Sequence, residues 1–191
     1  MKTRHVDSHE MQTRVARFQD LQPLPATESL NMPQEAKDVI YSRTLLSVIG
    51  LEDTTTPINQ GAPITGAGGI TMTHAVCPPG TGPSLHAHRQ TYETFTVLRG
   101  RFEVFWNDDG SERLELDEFD TISLPPGVCR GFRNISDEDG ILQVVISGGV
   151  HDMNDIDFPK ATAEQLAAFG DDVVAQFEAR GMTFTAGSEA Q

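Results

Sequence analysis

Between Gly69 and Gly148 the chain is written in short runs of β-branched and aromatic residues, each closed by Gly, Pro, Asn or Asp. Such runs predict strands over Ile70–Val76, Leu85–His88, Glu93–Leu98, Phe102–Trp106, Glu112–Leu116, Thr121–Leu124, Cys129–Asn134 and Leu142–Ser147. Asn107-Asp108-Asp109-Gly110 predicts a tight hairpin turn, because Asn, Asp and Gly tolerate positive φ. A series of short strands with no helix between them predicts an all-β sandwich, jelly roll or barrel. No internal repeat is visible, so one barrel is expected.

The flanks read differently. Residues 1–40 carry scattered apolar positions and prolines at 23, 25 and 33, and predict an arm. Val39–Ile49 is a β-like run, and residues 54–69 have the Thr, Gly and Pro content of a loop able to cover a barrel mouth. Beyond Asp155 the pattern is helical. Thr162 with Gln165 suggests a capping box ahead of Leu166, Ala167 and Phe169, closed by Gly170. Asp171 suggests the cap of a second helix carrying Val173, Val174 and Phe177 and ending at Gly181. These helices are expected on the outside of the barrel or against a second subunit. The division is then an arm (1–40), a barrel (41–155) and a helical extension with a frayed tail (156–191).

Composition narrows the function classes. A chain of 191 residues suits one core with appended arms. No apolar run is long enough to span a membrane, and Met1 to Asp20 lacks the apolar stretch of a secretory signal, so a cytoplasmic protein is expected. The formal charge of -14 would repel phosphate backbones and acidic lipid surfaces, which argues against nucleic-acid and membrane partners. Cys77 and Cys129 are expected as reduced, buried thiols.

The chemistry concentrates in Gly80 to Gly100. His86 and His88 are two residues apart, so on a strand both imidazoles leave the same face and can converge. Glu93 opens the next strand past a short loop, and a hairpin can bring its carboxylate opposite them. Two nitrogen donors and one oxygen donor suit a divalent ion such as Fe, Mn, Ni, Cu or Zn, and a two-His, one-carboxylate set is the arrangement of non-heme iron oxygenases.

The same segment resembles the first motif of the cupin superfamily: Gly80, five residues, His86-x-His88, four residues, Glu93, six residues, Gly100. The resemblance implies a double-stranded β-helix, or jelly-roll, barrel with His86, His88 and Glu93 binding a metal inside it. The second motif is matched in part, at Pro125, Gly127 and Asn134. Phe119 stands where the family has a glycine. Arg130 stands where the family has a fourth ligand, a histidine, and a guanidinium offers no lone pair to a metal. Barrels of this family commonly dimerise through an exchanged N-terminal strand, so the arm is expected to serve a homodimer.

Arg130 divides the functional readings. In the first, three ligands hold the metal with positions left open, Arg130 clamps a small anionic organic substrate, and Tyr92 or His74 donates a proton, as in an oxygenase. In the second, Arg130 replaces the cation by pairing with Glu93, and the chain is a metal-free binding or sensing protein. In the third, the chain is an isomerase or epimerase of a sugar derivative using His74 and Tyr92. His74 also has a simpler reading as a structural strand histidine. Phe132 shares a strand face with Arg130 and is expected to point inward with it, whereas Gln143 could line the cavity or face solvent. His5, His9 and His151 read as surface residues.

Overall fold

The computed structural model describes residues 1–24, 30–52, 61–149, 153–170 and 172–187. Twelve strands follow in chain order among these residues: β1 (Thr44–Gly50), β2 (Ile64–Thr65), β3 (Ile70–Cys77), β4 (Ala87–His88), β5 (Tyr92–Arg99), β6 (Phe102–Trp106), β7 (Glu112–Leu116), β8 (Thr121–Leu124), β9 (Arg130–Asn134), β10 (Gly140–Ser147), β11 (Ile156–Pro159) and β12 (Thr183–Ala186). The helices are α1 (Ser8–Gln12), α2 (Gln34–Ile40), α3 (Lys160–Ala167) and α4 (Val173–Glu178). None is long and apolar enough to cross a membrane among the described residues.

A six-stranded sheet, β2-β1-β3-β10-β5-β8, faces the three-stranded sheet β7-β6-β9. This is a double-stranded β-helix. Alternation along each strand sends one set of side chains inward. In β10 these are Leu142, Val144 and Ile146, and with Ala75, Phe95 and Val97 they meet Phe102, Val104 and Phe132 from the opposite sheet. Phe132 packs edge-on against Phe95 and Phe102, with ring centroids 5.0 and 6.0 Å apart. Burying each such ring contributes about 1.5–3 kcal/mol.

The predicted strands are present in the barrel, although Leu85–His88 contracts to β4 and His86 is held to Arg130 by an isolated bridge. The predicted turn closes with the Gly110 amide donating to the Asn107 carbonyl at 3.1 Å. Asn107 and Gly110 both adopt positive φ there. Phe119 also lies in the left-handed region, at φ 74°, and the residue is 77% exposed. The backbone at that position therefore keeps the conformation a glycine would take, and the phenylalanine bears the steric cost.

The flanks depart from expectation. Val39 and Ile40 belong to α2 and not to a strand: Ala36, Val39 and Ile40 lie on one helical face and are buried, and Pro33 sits at the N-cap, where its missing amide costs nothing. Helix α3 begins at Lys160 behind Pro159, so Thr162 lies buried within the first turn and caps nothing. The extension is also not purely helical. Strands β11 and β12 pair in parallel, and β11 pairs antiparallel with β4, building a third sheet in the order β12-β11-β4. Asp171, the expected cap of α4, and His151 lie outside the described residues, as does much of the predicted 54–69 loop; its remainder supplies β2.

The two flanks share a core. Leu30, Ala36 and Ile40 from before the barrel pack with Phe158, Leu166 and Phe177 from after it. The arm itself lies on β1 and β3 of its own chain. Pro23 bridges Leu46, the Leu24 amide donates to the Leu45 carbonyl at 2.9 Å, and the Phe18 ring sits 5.8 Å from His74.

Candidate metal centre

Two backbone pairings fix the histidine strand from either side. On one side His86 and Arg130 exchange amide-to-carbonyl hydrogen bonds of 2.9 Å in both directions. On the other, β4 pairs with β11, His88 opposite Ile156. Glu93 comes from the six-stranded sheet, where it stands between Leu124 of β8 and Ile146 of β10. Both sheets thus deliver polar atoms to one point inside the barrel.

His86, His88 and Glu93 are all buried, and one donor atom from each lies within 4.8 Å of the others. The Nε2 atoms of His86 and His88 face the same Glu93 oxygen, Oε2, at 3.4 and 3.7 Å. Donors about 2.0–2.2 Å from one ion stand roughly 3.0–3.5 Å apart in octahedral or tetrahedral arrangements, so the spacing fits a shared cation after small adjustments.

The far side of each ring supports the same reading. His86 Nδ1 lies 2.9 Å from the Ser84 carbonyl, which can only accept, so Nδ1 carries the proton and Nε2 presents its lone pair. His88 Nδ1 lies 3.1 Å from Asp155 Oδ2 and 2.9 Å from the Thr91 hydroxyl, which itself donates to Asp155 Oδ2 at 2.6 Å. A carboxylate behind a histidine fixes the tautomer and raises the ring's donor strength. Burial lowers the pKa of His88 from its ordinary value, which favours the neutral ring a metal requires.

The acids are ionised. Burial works to raise the Glu93 pKa, but the neighbouring His88 and His86 rings and the Arg130 guanidinium outweigh it and hold the carboxyl well below the usual range. Burial likewise opposes ionisation of Asp155, and hydrogen bonds from His88, Thr91 and the Gln90 amide bring it down to about 2.

Arg130 stands beside the cluster with its guanidinium turned to Glu93. Its side chain is fully buried, with Nε donating to Glu93 Oε2 at 2.9 Å and Nη1 to the Val128 carbonyl at 2.9 Å. It does not line the cavity next to the histidines among the described residues. Its Nε reaches the same Glu93 oxygen that the two histidine Nε2 atoms face, because β9 enters the site by the backbone bridge to His86. Nη2 is buried without a hydrogen-bond partner.

Tyr92 and His74, the expected proton donors, stand outside the cluster. Tyr92 is the strand neighbour of Glu93, so it points the opposite way and is 51% exposed. His74 alternates with the inward residues Ala75 and Cys77 of β3 and faces out beneath Phe18. Gln143, opposite His74 across the β3–β10 pair, shares that outer face and reaches Met72 Sδ at 3.4 Å. Phe132, in contrast, points inward and lines the cavity.

Asp155 is the residue that reading the sequence missed. It lies 67 positions from His88, and a lone aspartate at the edge of a helical pattern carries no spacing signal.

A family profile described as a cupin domain matches residues 73–147, which hold both histidines, Glu93 and Arg130. The barrel is a cupin domain. Solved cupin-type structures resemble it at low identity. One is the Bacillus halodurans protein BH2720, 20% identical over 43% of this chain and 64% of that one, TM-score 0.41. A Klebsiella pneumoniae protein with a double-stranded β-helix domain is 24% identical over 42% of this chain and 68% of its own, TM-score 0.39. The Cnp3 cupin domain of Schizosaccharomyces pombe is 15% identical over 63% of this chain and 70% of its own, TM-score 0.42. The chain thus spans less than two thirds of the length of the Bacillus protein. No curated protein matches the chain significantly.

Proposed function

We propose that this cupin is a divalent-metal-dependent enzyme of the oxygenase type, with the ion held by His86 Nε2, His88 Nε2 and a Glu93 oxygen. The observation that carries the reading is the orientation of the rings: each imidazole has its Nδ1 turned to an acceptor and its Nε2 turned to the same carboxylate oxygen. When bound, the ion would supply Lewis-acid chemistry and, if redox-active, dioxygen activation. The chain's own residues set the conditions for it. Asp155 and Thr91 hold the His88 ring, the Ser84 carbonyl holds the His86 ring, and Arg130 neutralises part of the Glu93 charge. Three protein ligands leave room for a substrate or water at the ion.

Elemental analysis of untagged protein, followed by calorimetric titration with Fe(II), Mn(II), Ni(II), Cu(II) and Zn(II), tests this. We expect one ion per chain, with binding abolished in His88→Ala and Glu93→Gln. Folded protein that neither retains nor takes up an ion would end the proposal.

One observation favours a second reading. The 2.9 Å ion pair between Arg130 and Glu93 places a positive charge where a metal's charge would compensate the carboxylate. In that case the protein is a metal-free binding or sensing cupin, and metal addition leaves its thermal unfolding unchanged. The homodimer expected from the arm is carried forward as a further proposal; a single-chain mass by light scattering would overturn it.

A further inference from the structure

The cavity that opens onto His86, His88 and Glu93 has a volume of about 110 Å³. Its walls are supplied by Leu24, Leu45, Val144, Ile146, Ile156 and Phe158, among others. Apart from the His-His-Glu cluster, the polar side chains facing it among the described residues are Tyr41, Ser42 and Thr73, and no lysine or arginine lines it. Ser42 is engaged with the Cys77 thiol, and burial pushes the Tyr41 phenol up to about 12, so it stays neutral.

From this lining we infer that the cavity takes a compact molecule with a hydrocarbon body and a single polar head directed at His86, His88 and Glu93, and that it rejects polyols. The inference deepens the metal-dependent reading and rests on it only for the seat of the head group. The physical reason is desolvation. Away from Tyr41, Ser42 and Thr73, a hydroxyl on the body of the ligand would leave water for a wall of Leu, Ile, Val and Phe that offers it no partner, and each such unmade bond weakens binding severalfold to a hundredfold. A hydrocarbon body gains by the same transfer. Size follows from comparison with cavities of about 150 Å³ that hold benzene, so a body of about four carbon atoms fits. Arg130 does not line the cavity among the described residues, and its Nε is taken up by Glu93 Oε2, so charge selection by Arg130 plays no part. Sugar-like substrates are disfavoured for the same reason as polyols.

The test compares ligands matched in length and head group: butan-1-ol against erythritol, and butanoate against 2,3,4-trihydroxybutanoate. Each is titrated into full-length protein, chelator-treated and zinc-loaded in parallel, and followed by amide chemical shifts. The expected result is at least a thirtyfold preference for the hydrocarbon member of each pair, with the largest shifts at Ile146, Ile156 and Phe158. Leu45→Phe, which narrows the cavity, should weaken butan-1-ol binding at least tenfold. Equal affinity for erythritol and butan-1-ol, or butan-1-ol affinity unchanged in a folded Leu45→Phe protein, would overturn the inference whatever the metal result. Failure to take up zinc alongside an intact hydrocarbon preference would overturn the metal reading alone.

Discussion

Residues 73–147 and the segments flanking them meet at the same cavity and contribute to it unequally. The cupin segment contributes the polar cluster: His86 and His88 at β4, Glu93 on β5, and Arg130 on β9 paired with Glu93. The flanks contribute much of the apolar wall, with Leu24 and Leu45 from one side and Ile156 and Phe158 from the other, joined by Phe132, Val144 and Ile146 of the cupin segment. They also contribute one charge, Asp155, which reaches across to His88. The difference teaches that the donors come from the cupin segment alone, whereas the wall that selects a ligand draws on both regions. A barrel with the same motif and different flanks would keep its donors and change what it admits.

Four substitutions press on that contrast, taken from the largest effect to the smallest. Within the cupin segment, Arg130→Met in metal-free protein leaves the Glu93 carboxylate buried without its partner. That should cost about 3–5 kcal/mol in urea unfolding; a loss below 1 kcal/mol would show that the ion pair does not hold this region together. In the flanks, Phe177 is fully buried in the shared terminal core, and Phe177→Ala should cost about 3–4 kcal/mol. Amide exchange should then show protection lost around β11, α3 and α4 before the barrel strands. Equal loss throughout would mean that the two regions unfold as one unit.

Asp155→Asn tests the charge that the flanks bring to His88. It keeps the shape but can turn a donor toward His88 Nδ1, and metal affinity measured calorimetrically should fall by about 10–100-fold. An unchanged affinity would confine Asp155 to a structural role. The smallest effect is a gain. Phe119→Gly removes a side chain that is mostly in solvent from a left-handed backbone position and should raise stability by about 0.5–1 kcal/mol, read as a higher Tm.

Much of the barrel was legible because its signals are local. Alternation fixes which residues of β10 face inward, and the two-residue spacing of His86 and His88 puts both rings on one face. The same alternation excludes Tyr92 from the site, since it adjoins Glu93 on one strand, and His74, since it alternates with Ala75 and Cys77. Arg130 shows the limit of this reasoning. Its position in the motif is local, but whether a long side chain meets a substrate or folds back onto Glu93 depends on packing around β9 that spacing does not encode. In the flanks the prolines suggested irregular chain, although Pro33 starts α2 instead of preventing it. Strands β11 and β12 were invisible because they exist through pairing with β4 and with each other, and the partner of Asp155 lies on a distant strand.

The pairing of β11 with β4 has a consequence for anyone trimming or recombining this protein. A fragment ending near Gly149 would retain every motif residue and still lose the neighbour that registers the His88 backbone, the acceptor for the Gln90 amide and the carboxylate behind the His88 ring. The transplantable unit is therefore longer than the stretch that marks the family, and its boundary lies beyond Pro159 instead of at the end of β10.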